Sequence, residues 1–210
     1  DNGQTRISEE EARVAIASGK AKNVILFVGD GMGVSTVTAA RIFDGQMQSK
    51  DGESNSLYME KLPYLAMSKT YSVNQQTADS APTMTAMVTG VKTKESFLST
   101  VSGIKKNDPA GCAETNRLGT IAELAEVAGM STGVVSTARI THATPAAVYA
   151  HTPNRDAESD KDQTDLITAG ALAATGCTDI AKQPVNFGSG QNGSVLFGDG
   201  SGLEVAVGGG

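Results

Sequence analysis

The stretch Asn23-Val-Ile-Leu-Phe-Val-Gly-Asp-Gly-Met-Gly33 joins a short apolar run to a tight polar turn, and a helical pattern continues over residues 34–43. The run at residues 23–28 is apolar on both faces, which is typical of a strand buried inside a parallel sheet. The stretch therefore predicts a strand, a tight turn and a helix in succession.

The same alternation of apolar strands and helical patterns recurs along the chain. Further strands are predicted at residues 65–73, 132–137 and 204–207, and further helices at residues 8–19, 80–88, 120–128 and 165–174. Strands that alternate with helices imply right-handed crossovers and parallel pairing. We therefore expect an α/β fold, with a mostly parallel central sheet flanked by helices on both faces.

Two stretches interrupt this alternation. Residues 92–117 are polar and rich in Lys, Ser and Asn, which predicts a surface excursion. Residues 183–202 are crowded with Gly, Ser and Asn, which predicts an extended loop or hairpin. Neither stretch divides the chain convincingly, so residues 1–210 are predicted to form a single α/β domain.

The composition excludes several functions. The 210 residues include 17 basic and 23 acidic side chains, which gives a formal net charge of −6. This balance disfavours broad binding to nucleic acids or anionic membranes, because such binding requires a basic surface. The longest strongly apolar run, residues 24–28, is far shorter than the roughly 20 residues of a membrane-spanning helix. The sequence predicts neither a nucleic-acid partner nor a transmembrane segment.

The start of the chain and its two cysteines bear on the compartment of the protein. The chain starts at Asp1 without a charged and apolar leader, so we expect a mature form whose signal peptide has been removed. That interpretation makes the protein secreted or periplasmic, where disulfides form. On composition alone, Cys112 and Cys177 fit one disulfide and two buried free thiols equally well.

Asp30 is the first candidate functional residue, because it follows the first predicted strand between Gly29 and Gly31. Ligands of open parallel sheets bind outside the carboxyl ends of the strands. Taken alone, Asp30 fits a ligand-binding role and a helix-capping role about equally. A dinucleotide fingerprint needs a further glycine where Val34 stands, and a carboxylate repels pyrophosphate unless a cation intervenes. The second point favours a metal.

Asp79 and Ser80 begin a predicted helix that carries Pro82 in its first turn. The free backbone N–H groups and the dipole of a helix make this end a site for anions. A serine at such a position is far more often only a cap, and that alternative stays open. A nucleophilic serine needs a base or a metal. Because no histidine lies near Ser80 in the sequence, activation by a metal is favoured.

A third polar segment follows the predicted strand at residues 132–137. It brings His142, His151 and Arg155 to another strand end, at the same edge of the sheet as Asp30. Arg155 is suited to clamp a phosphate or carboxylate with two hydrogen bonds. Each of these side chains taken singly is more often a loop residue bonded to a nearby carbonyl. The convergence of three such segments on one edge favours a functional site.

Together these motifs resemble those of the alkaline phosphatase family. Residues 21–41 resemble its metal-binding first strand, and Thr-Ala-Asp-Ser at residues 77–80 resembles its phosphorylated-serine motif. Residues 136–155 resemble its third signature, and their sequence is closer to that of the animal and marine-bacterial branch than to that of enteric enzymes. The resemblance covers nearly all of the chain. It implies an alkaline phosphatase-like fold that is incomplete in this chain.

The resemblance also implies an activity, the hydrolysis of phosphate monoesters through a phosphoserine intermediate, with two Zn²⁺ ions and one Mg²⁺ ion as cofactors. Ser80 would be the nucleophile and a zinc ligand. Arg155 would hold two phosphate oxygens, and Asp79 would help to position Arg155 at the phosphate. The zinc ions would stabilise the serine alkoxide and the leaving oxygen.

The resemblance implies metal-binding and covalent roles for other residues. Asp30 would bridge a zinc and the magnesium, Thr144 would ligate the magnesium through its hydroxyl, and His142 would lie just behind that site. Cys112 and Cys177 fall where this branch of the family has a disulfide. The family assigns no chemical role to the counterpart of His151, so a structural role is expected there.

The chain also departs from the family pattern. Pro82 and Met84 stand where the family usually has small residues. The family completes its metal sites with a Glu and several His and Asp residues that lie further along than Gly210. The resemblance therefore implies the amino-terminal portion of a larger catalytic domain. Its partners would be a carboxy-terminal half, on the same or a separate chain, and a second copy in a homodimer.

Two alternatives to a phosphomonoesterase stay open at this point. One is a non-catalytic phosphate- or metal-binding α/β module that keeps the fold of the family without turnover. The other is a related enzyme that acts on sulfate esters or phosphodiesters, although the residues of all three motifs favour phosphate monoesters as substrates.

Overall fold

The computed structural model describes residues 22–166, 178–187 and 202–209. Two compact units make up the chain, Asp1–Val37 and Thr38–Gly210. In the described residues the helices are α1 (Val34–Met47), α2 (Ser80–Thr89), α3 (Ile121–Val127), α4 (Ala143–Ala146) and α5 (Asp160–Leu166), and the strands are β1 (Gly133–Arg139) and β2 (Val205–Gly209). Short 3-10 helices span Tyr58–Lys61, Pro109–Cys112, Glu114–Asn116 and Pro184–Asn186. The single domain predicted over residues 1–210 stays a prediction.

The described sheet consists of β1 and β2, which pair in parallel. Gly133 lies opposite Val205 and Val135 opposite Val207, and the register becomes irregular before Arg139 pairs with Gly209. These two strands confirm the predictions at residues 132–137 and 204–207. Together with the helices they confirm the expected α/β class with a parallel sheet.

Two of the predicted strands are absent, and these predictions are wrong. Residues 23–28 and 65–73 contain no strand. Their apolar side chains are exposed, with Phe27 90% and Leu65 91% accessible to solvent. A strand requires a hydrogen-bonded neighbour, and neither β1 nor β2 pairs with these stretches. Burial does not separate the wrong predictions from the confirmed ones, because Val135 of β1 and Val207 of β2 are also exposed, at 74% and 55%; the presence of a partner strand does.

The predicted helices at residues 34–43, 80–88 and 120–128 are confirmed by α1, α2 and α3. Helix α3 begins at a capping box, in which Thr120 and Glu123 satisfy each other's backbone N–H groups. Helix α5 begins earlier than the predicted helix at 165–174, and residues 8–19 and 167–174 lie outside the described residues. None of the helices in the described ranges has the length and apolar character needed to span a bilayer.

The stretch at residues 92–117, predicted as a surface excursion, is buried in its first part, so that prediction is wrong there. Phe97 and Leu98 are 1% and 0% exposed. Leu98 forms an isolated antiparallel bridge with Thr152, in which the backbone N–H of each residue donates to the carbonyl of the other. This segment therefore lies in the core beside the residues that precede Arg155.

Hydroxyl groups explain why a polar segment lies in the interior. The Thr85 hydroxyl donates to the Phe97 carbonyl at 3.2 Å and accepts from the Ser99 N–H at 2.9 Å. The Ser99 hydroxyl donates to the Ala147 carbonyl at 2.7 Å. Because buried polar groups are tolerated when they are hydrogen-bonded, the Thr85 and Ser99 hydroxyls can connect this segment to α2 and to the loop after α4 inside the core. Of the loop predicted at 183–202, residues 188–201 lie outside the described residues.

Candidate active site

Ser80 is the first residue of α2, directly after the cap residue Asp79. Asp79 has extended backbone angles, and its Oδ2 atom accepts a hydrogen bond from the Ala81 N–H at 3.3 Å. Pro82 fits the first helical turn because its missing N–H has no partner to lose there. The local sequence thus places the Ser80 hydroxyl at the positive end of a ten-residue helix.

Arg155 connects three of the predicted site residues. Its Nη1 atom donates to Ser80 Oγ at 2.9 Å and to Asp79 Oδ2 at 3.0 Å. Its Nη2 atom lies 3.0 Å from His142 Nε2. Since a guanidinium only donates hydrogen bonds, this ring nitrogen of His142 is the acceptor and carries no proton. The structure therefore brings Asp79, Ser80, His142 and Arg155 together, as the motifs predict.

The ion pair between Arg155 and Asp79 is mostly shielded from water, with side chains 20% and 25% exposed. Partial burial weakens solvent screening, so this pair is held more firmly than an exposed one. The Asp79 carboxylate fixes the direction of the Arg155 guanidinium. Such an arrangement is suited to binding a tetrahedral oxyanion beside Ser80.

Ser96 joins this site, although the sequence analysis did not single it out. Its N–H donates to Asp79 Oδ1 at 3.2 Å, and its carbonyl accepts from the Arg155 N–H at 2.8 Å. Its hydroxyl accepts from Lys106 Nζ at 3.0 Å. The sequence carries no signal for this role, because the contacts to Asp79 and Arg155 use backbone atoms that every residue except proline has.

Thr144 lies on the short helix α4, which begins after the cap residue His142. Helix α4 packs against α2 and β1, so Thr144 is placed on an element that adjoins the Ser80 helix. Both Thr144 and His142 are partly buried. The predicted role of Thr144 as a magnesium ligand stays a prediction.

Asp30 lies in the other unit, Asp1–Val37, within a turn where Gly31 has φ of 65°. Its backbone neighbours close the turn, with the Met32 N–H donating to the Gly29 carbonyl at 3.3 Å. The Asp30 side chain is exposed. Its predicted bridging of a zinc and a magnesium stays a prediction.

The donor atoms present fit magnesium better than zinc. Hydroxyl oxygens such as those of Ser80 and Thr144 suit Mg²⁺, whereas zinc sites usually include nitrogen or sulfur ligands. The Nε2 atom of His142 already accepts from Arg155, and the predicted place of His142 behind a metal site stays a prediction. In the described part of the chain, no cluster of three or more His, Cys, Asp or Glu residues is arranged to hold a metal ion.

A second charged group lies near His142 on the strand side. The Arg139 guanidinium donates twice to the Glu158 carboxylate, at 2.7 and 2.9 Å, and the Thr141 hydroxyl donates to the same carboxylate. The Arg139 hydrogen bond is the main reason why the pKa of Glu158 lies below its usual value. This group ties the end of β1 to the loop before α5.

Cys112 is buried at the end of the Pro109–Cys112 turn. No cysteine in the described residues is a free thiol. Cys177 lies outside the described residues, so the pairing of the two stays a prediction.

Comparison with known sequences identifies a family. The alkaline phosphatase family model matches residues 21–203. Alkaline phosphatase from Gadus morhua is 48% identical over 164 residues, which cover 78% of this chain and 33% of that protein. The tissue-nonspecific isozyme from Homo sapiens is 46% identical over 78% of this chain and 30% of its own length. Membrane-bound alkaline phosphatase from Bombyx mori is 40% identical over 93% of this chain and 35% of its own length.

Solved structures agree with the sequence comparison. The cold-active alkaline phosphatase of Shewanella sp. superposes with a TM-score of 0.52 and 31% identity, over 66% of this chain and 32% of that one. A mutant of TAB5 alkaline phosphatase with Mg bound gives a TM-score of 0.51 and 30% identity, over 64% and 33% of the two chains. The chain spans about a third of the length of the curated relatives it matches. Its motifs, its fold and these matches together place the chain in the alkaline phosphatase family.

Proposed function

We propose that this chain carries the nucleophile and the phosphate clamp of an alkaline phosphatase that hydrolyses phosphate monoesters. The observation that supports the proposal most directly is the position of Arg155 Nη1, within hydrogen-bond distance of both Ser80 Oγ and Asp79 Oδ2. A guanidinium held by a carboxylate beside a serine hydroxyl can bind a phosphoryl group at the atom that attacks it.

In the proposed reaction the Ser80 Oγ atom attacks phosphorus, a Ser80–phosphate bond forms, and the bond to the leaving alcohol breaks. The alcohol oxygen takes up a proton as it leaves. Water then attacks the phosphoserine, releases inorganic phosphate and restores the serine hydroxyl. Arg155 offsets negative charge on the transferring group in both steps, and the N-terminus of α2 adds its dipole.

Asp79 and His142 hold Arg155 in place for this chemistry. Asp79 accepts from Nη1 and His142 accepts from Nη2, so both ends of the guanidinium are constrained. A pre-oriented clamp needs little rearrangement when charge develops on the phosphoryl oxygens. Recognition through the phosphate alone predicts activity toward many monoesters and little dependence on the alcohol.

We also propose two zinc ions and one magnesium ion as cofactors. Bound metal ions of this kind stabilise a serine alkoxide and a leaving oxygen as Lewis acids. The proposed ligands in this chain are Asp30, Ser80 and Thr144, with His142 behind the site. The remaining ligands are proposed to come from a carboxy-terminal part, on the same or a separate chain, because the relatives are about three times as long as the matched segment.

Three further expectations are kept as proposals. The protein is proposed to be secreted or periplasmic, and the complete enzyme is proposed to be a homodimer. Cys112 and Cys177 are proposed to form a disulfide, which is supported by the lack of any free thiol among the described residues. The predicted closed loop of 66 residues would stabilise the fold by roughly 4 kcal/mol in the chain-entropy treatment.

The nucleophile assignment is tested with Ser80→Ala in the complete enzyme, using an aryl phosphate and intact mass measurement. Ser80→Ala should not turn over the aryl phosphate, and its mass should not increase by one phosphoryl group. Ser54→Ala, at an exposed serine, should retain both the turnover and the mass increase. Unreduced turnover by Ser80→Ala would show that Ser80 is not the nucleophile. Phosphate binding without turnover in the parent protein would favour the non-catalytic module, and faster cleavage of sulfate esters or phosphodiesters would favour the related enzymes.

A further inference from the structure

Ser96 has an unusual backbone conformation for a buried residue. Its φ angle is 67°, in the left-handed region, and it is 3% exposed. Non-glycine residues in this region carry backbone strain, so the surrounding contacts must hold Ser96 there. Strained residues of this kind often occur at functional sites, where the conformation serves a contact that no relaxed one allows.

The contacts of Ser96 close a ring of hydrogen bonds at the clamp. Its N–H binds Asp79 Oδ1 at 3.2 Å, and its carbonyl binds the Arg155 N–H at 2.8 Å. The other carboxylate oxygen of Asp79 binds Arg155 Nη1 at 3.0 Å. Ser96 therefore holds the side chain of Asp79 and the backbone of Arg155. At the observed φ of 67°, the N–H of Ser96 reaches Asp79 and its carbonyl reaches Arg155.

We propose that Ser96 is a positioning residue for the phosphate clamp, because its left-handed backbone fixes Asp79 and Arg155 relative to Ser80. The inference rests on the proposed function and extends it to a residue outside the three sequence motifs. The backbone conformation of Ser96 does the positioning, and its hydroxyl bond to Lys106 contributes little to it. A side chain branched at Cβ should therefore displace the clamp, whereas glycine should preserve it.

Residues near Ser96 also adopt left-handed backbone angles, which indicates that this part of the fold requires them. Of the four non-glycine residues with positive φ in the described ranges, three lie within residues 96–107, and Ser49 is the fourth. Asn107, one of the three, accepts a hydrogen bond from Asn154 at 2.6 Å, next to Arg155 in the sequence. Ser49 has φ of 60° but lies exposed just after α1, which makes it a matched control for strain alone.

The test uses the complete, metal-loaded enzyme and the inhibition constant of inorganic phosphate, together with kcat and KM for an aryl phosphate. Ser96→Val should weaken phosphate inhibition about tenfold, because loss of orientation weakens a charge-assisted clamp. Ser49→Val should change the inhibition constant of phosphate by less than twofold relative to the parent enzyme. Ser96→Gly should recover most of the affinity although it lacks the hydroxyl. If Ser96→Val does not fold by circular dichroism, Ser96→Thr, which is also branched at Cβ, takes its place.

A double variant separates positioning from general damage. If Ser96 acts through the clamp, Ser96→Val should cause less than a twofold further loss in an Arg155→Ala background. A full additional loss in that background, or normal phosphate inhibition in the single variant, would overturn the inference. If the proposed function itself is wrong, the result is different: Arg155→Ala alone leaves phosphate inhibition and turnover unchanged.

Discussion

The Nε2 atom of His151 lies 2.9 Å from Oε1 of Glu123, and both side chains are almost fully buried. The other ring nitrogen, Nδ1, faces the Ser99 carbonyl at 2.9 Å, so it carries a proton. The contact between His151 and Glu123 joins α3 to the loop before Arg155 inside the core.

Replacement of His151 by leucine should destabilise the protein strongly. His151→Leu removes the partner of the buried Glu123 Oε1 atom, and leaving a buried polar atom unsatisfied costs about 1–3 kcal/mol. Urea unfolding followed by circular dichroism measures the change. The control is Lys161→Ala, which removes an exposed pair with Asp165 and should leave the unfolding midpoint unchanged. Equal midpoints for the two variants would contradict a structural role of the buried pair.

Replacement of Arg155 should impair catalysis more than folding. In the complete enzyme, Arg155→Lys should lower kcat/KM for an aryl phosphate by roughly 100-fold, because lysine cannot contact two acceptors in one plane. Arg139→Lys changes an arginine of the neighbouring pair with Glu158 and serves as the control. A loss of similar size in both variants would indicate a general electrostatic effect.

The pH dependence of stability should reveal the Glu158 ion pair. The Arg139 hydrogen bond, followed by the Thr141 hydroxyl, lowers the pKa of Glu158 in the folded protein. The stabilisation is therefore present above the unfolded pKa and disappears as the pH falls through the folded pKa. Glu158→Gln should be less stable than the parent at neutral pH and equally stable in acid.

Urea unfolding across this pH range compares Glu158→Gln with Glu53→Gln, which changes an exposed carboxylate. A stability difference that persists unchanged into acid would contradict the role of the carboxylate charge.

Gly90 ends α2 with φ of 74°, and a Cβ atom there would meet no other atom within 4 Å. Gly90→Ala should thus be destabilised by backbone strain alone, by about 1–2 kcal/mol. Gly103 has equally open surroundings without a positive φ, so Gly103→Ala isolates the effect. Thermal unfolding of the two variants gives the comparison. A lower midpoint for Gly103→Ala than for Gly90→Ala would exclude the cap as the cause.

The site was more predictable from the sequence than the sheet. Asp79, Ser80 and Arg155 stand in local motifs whose chemistry is visible residue by residue, and the structure brings them together. The strands at 23–28 and 65–73 were predicted from apolar patterns. Such patterns report a tendency to be buried, whereas a strand also depends on a partner that is distant in the sequence.

The interior role of residues 93–100 was also beyond the sequence. Its Ser and Thr side chains are typical of solvent-exposed loops, and only the fold shows that the Ser99 hydroxyl donates to Ala147 and that Thr85 bonds to the backbone of Phe97 and Ser99. Ser96 acts through its backbone, and its φ angle depends on contacts with Asp79 and Arg155. Neither property is encoded in the identity of one residue.

The Ser80 hydroxyl and the Arg155 guanidinium are separated by 75 positions in the chain. Closing so long a segment has an entropic cost that local contacts cannot offset early in folding, so long-range pairs of this kind form slowly. We therefore expect the clamp to form late in folding, so that partly folded chains containing α2 carry the Ser80 hydroxyl without the Arg155 guanidinium.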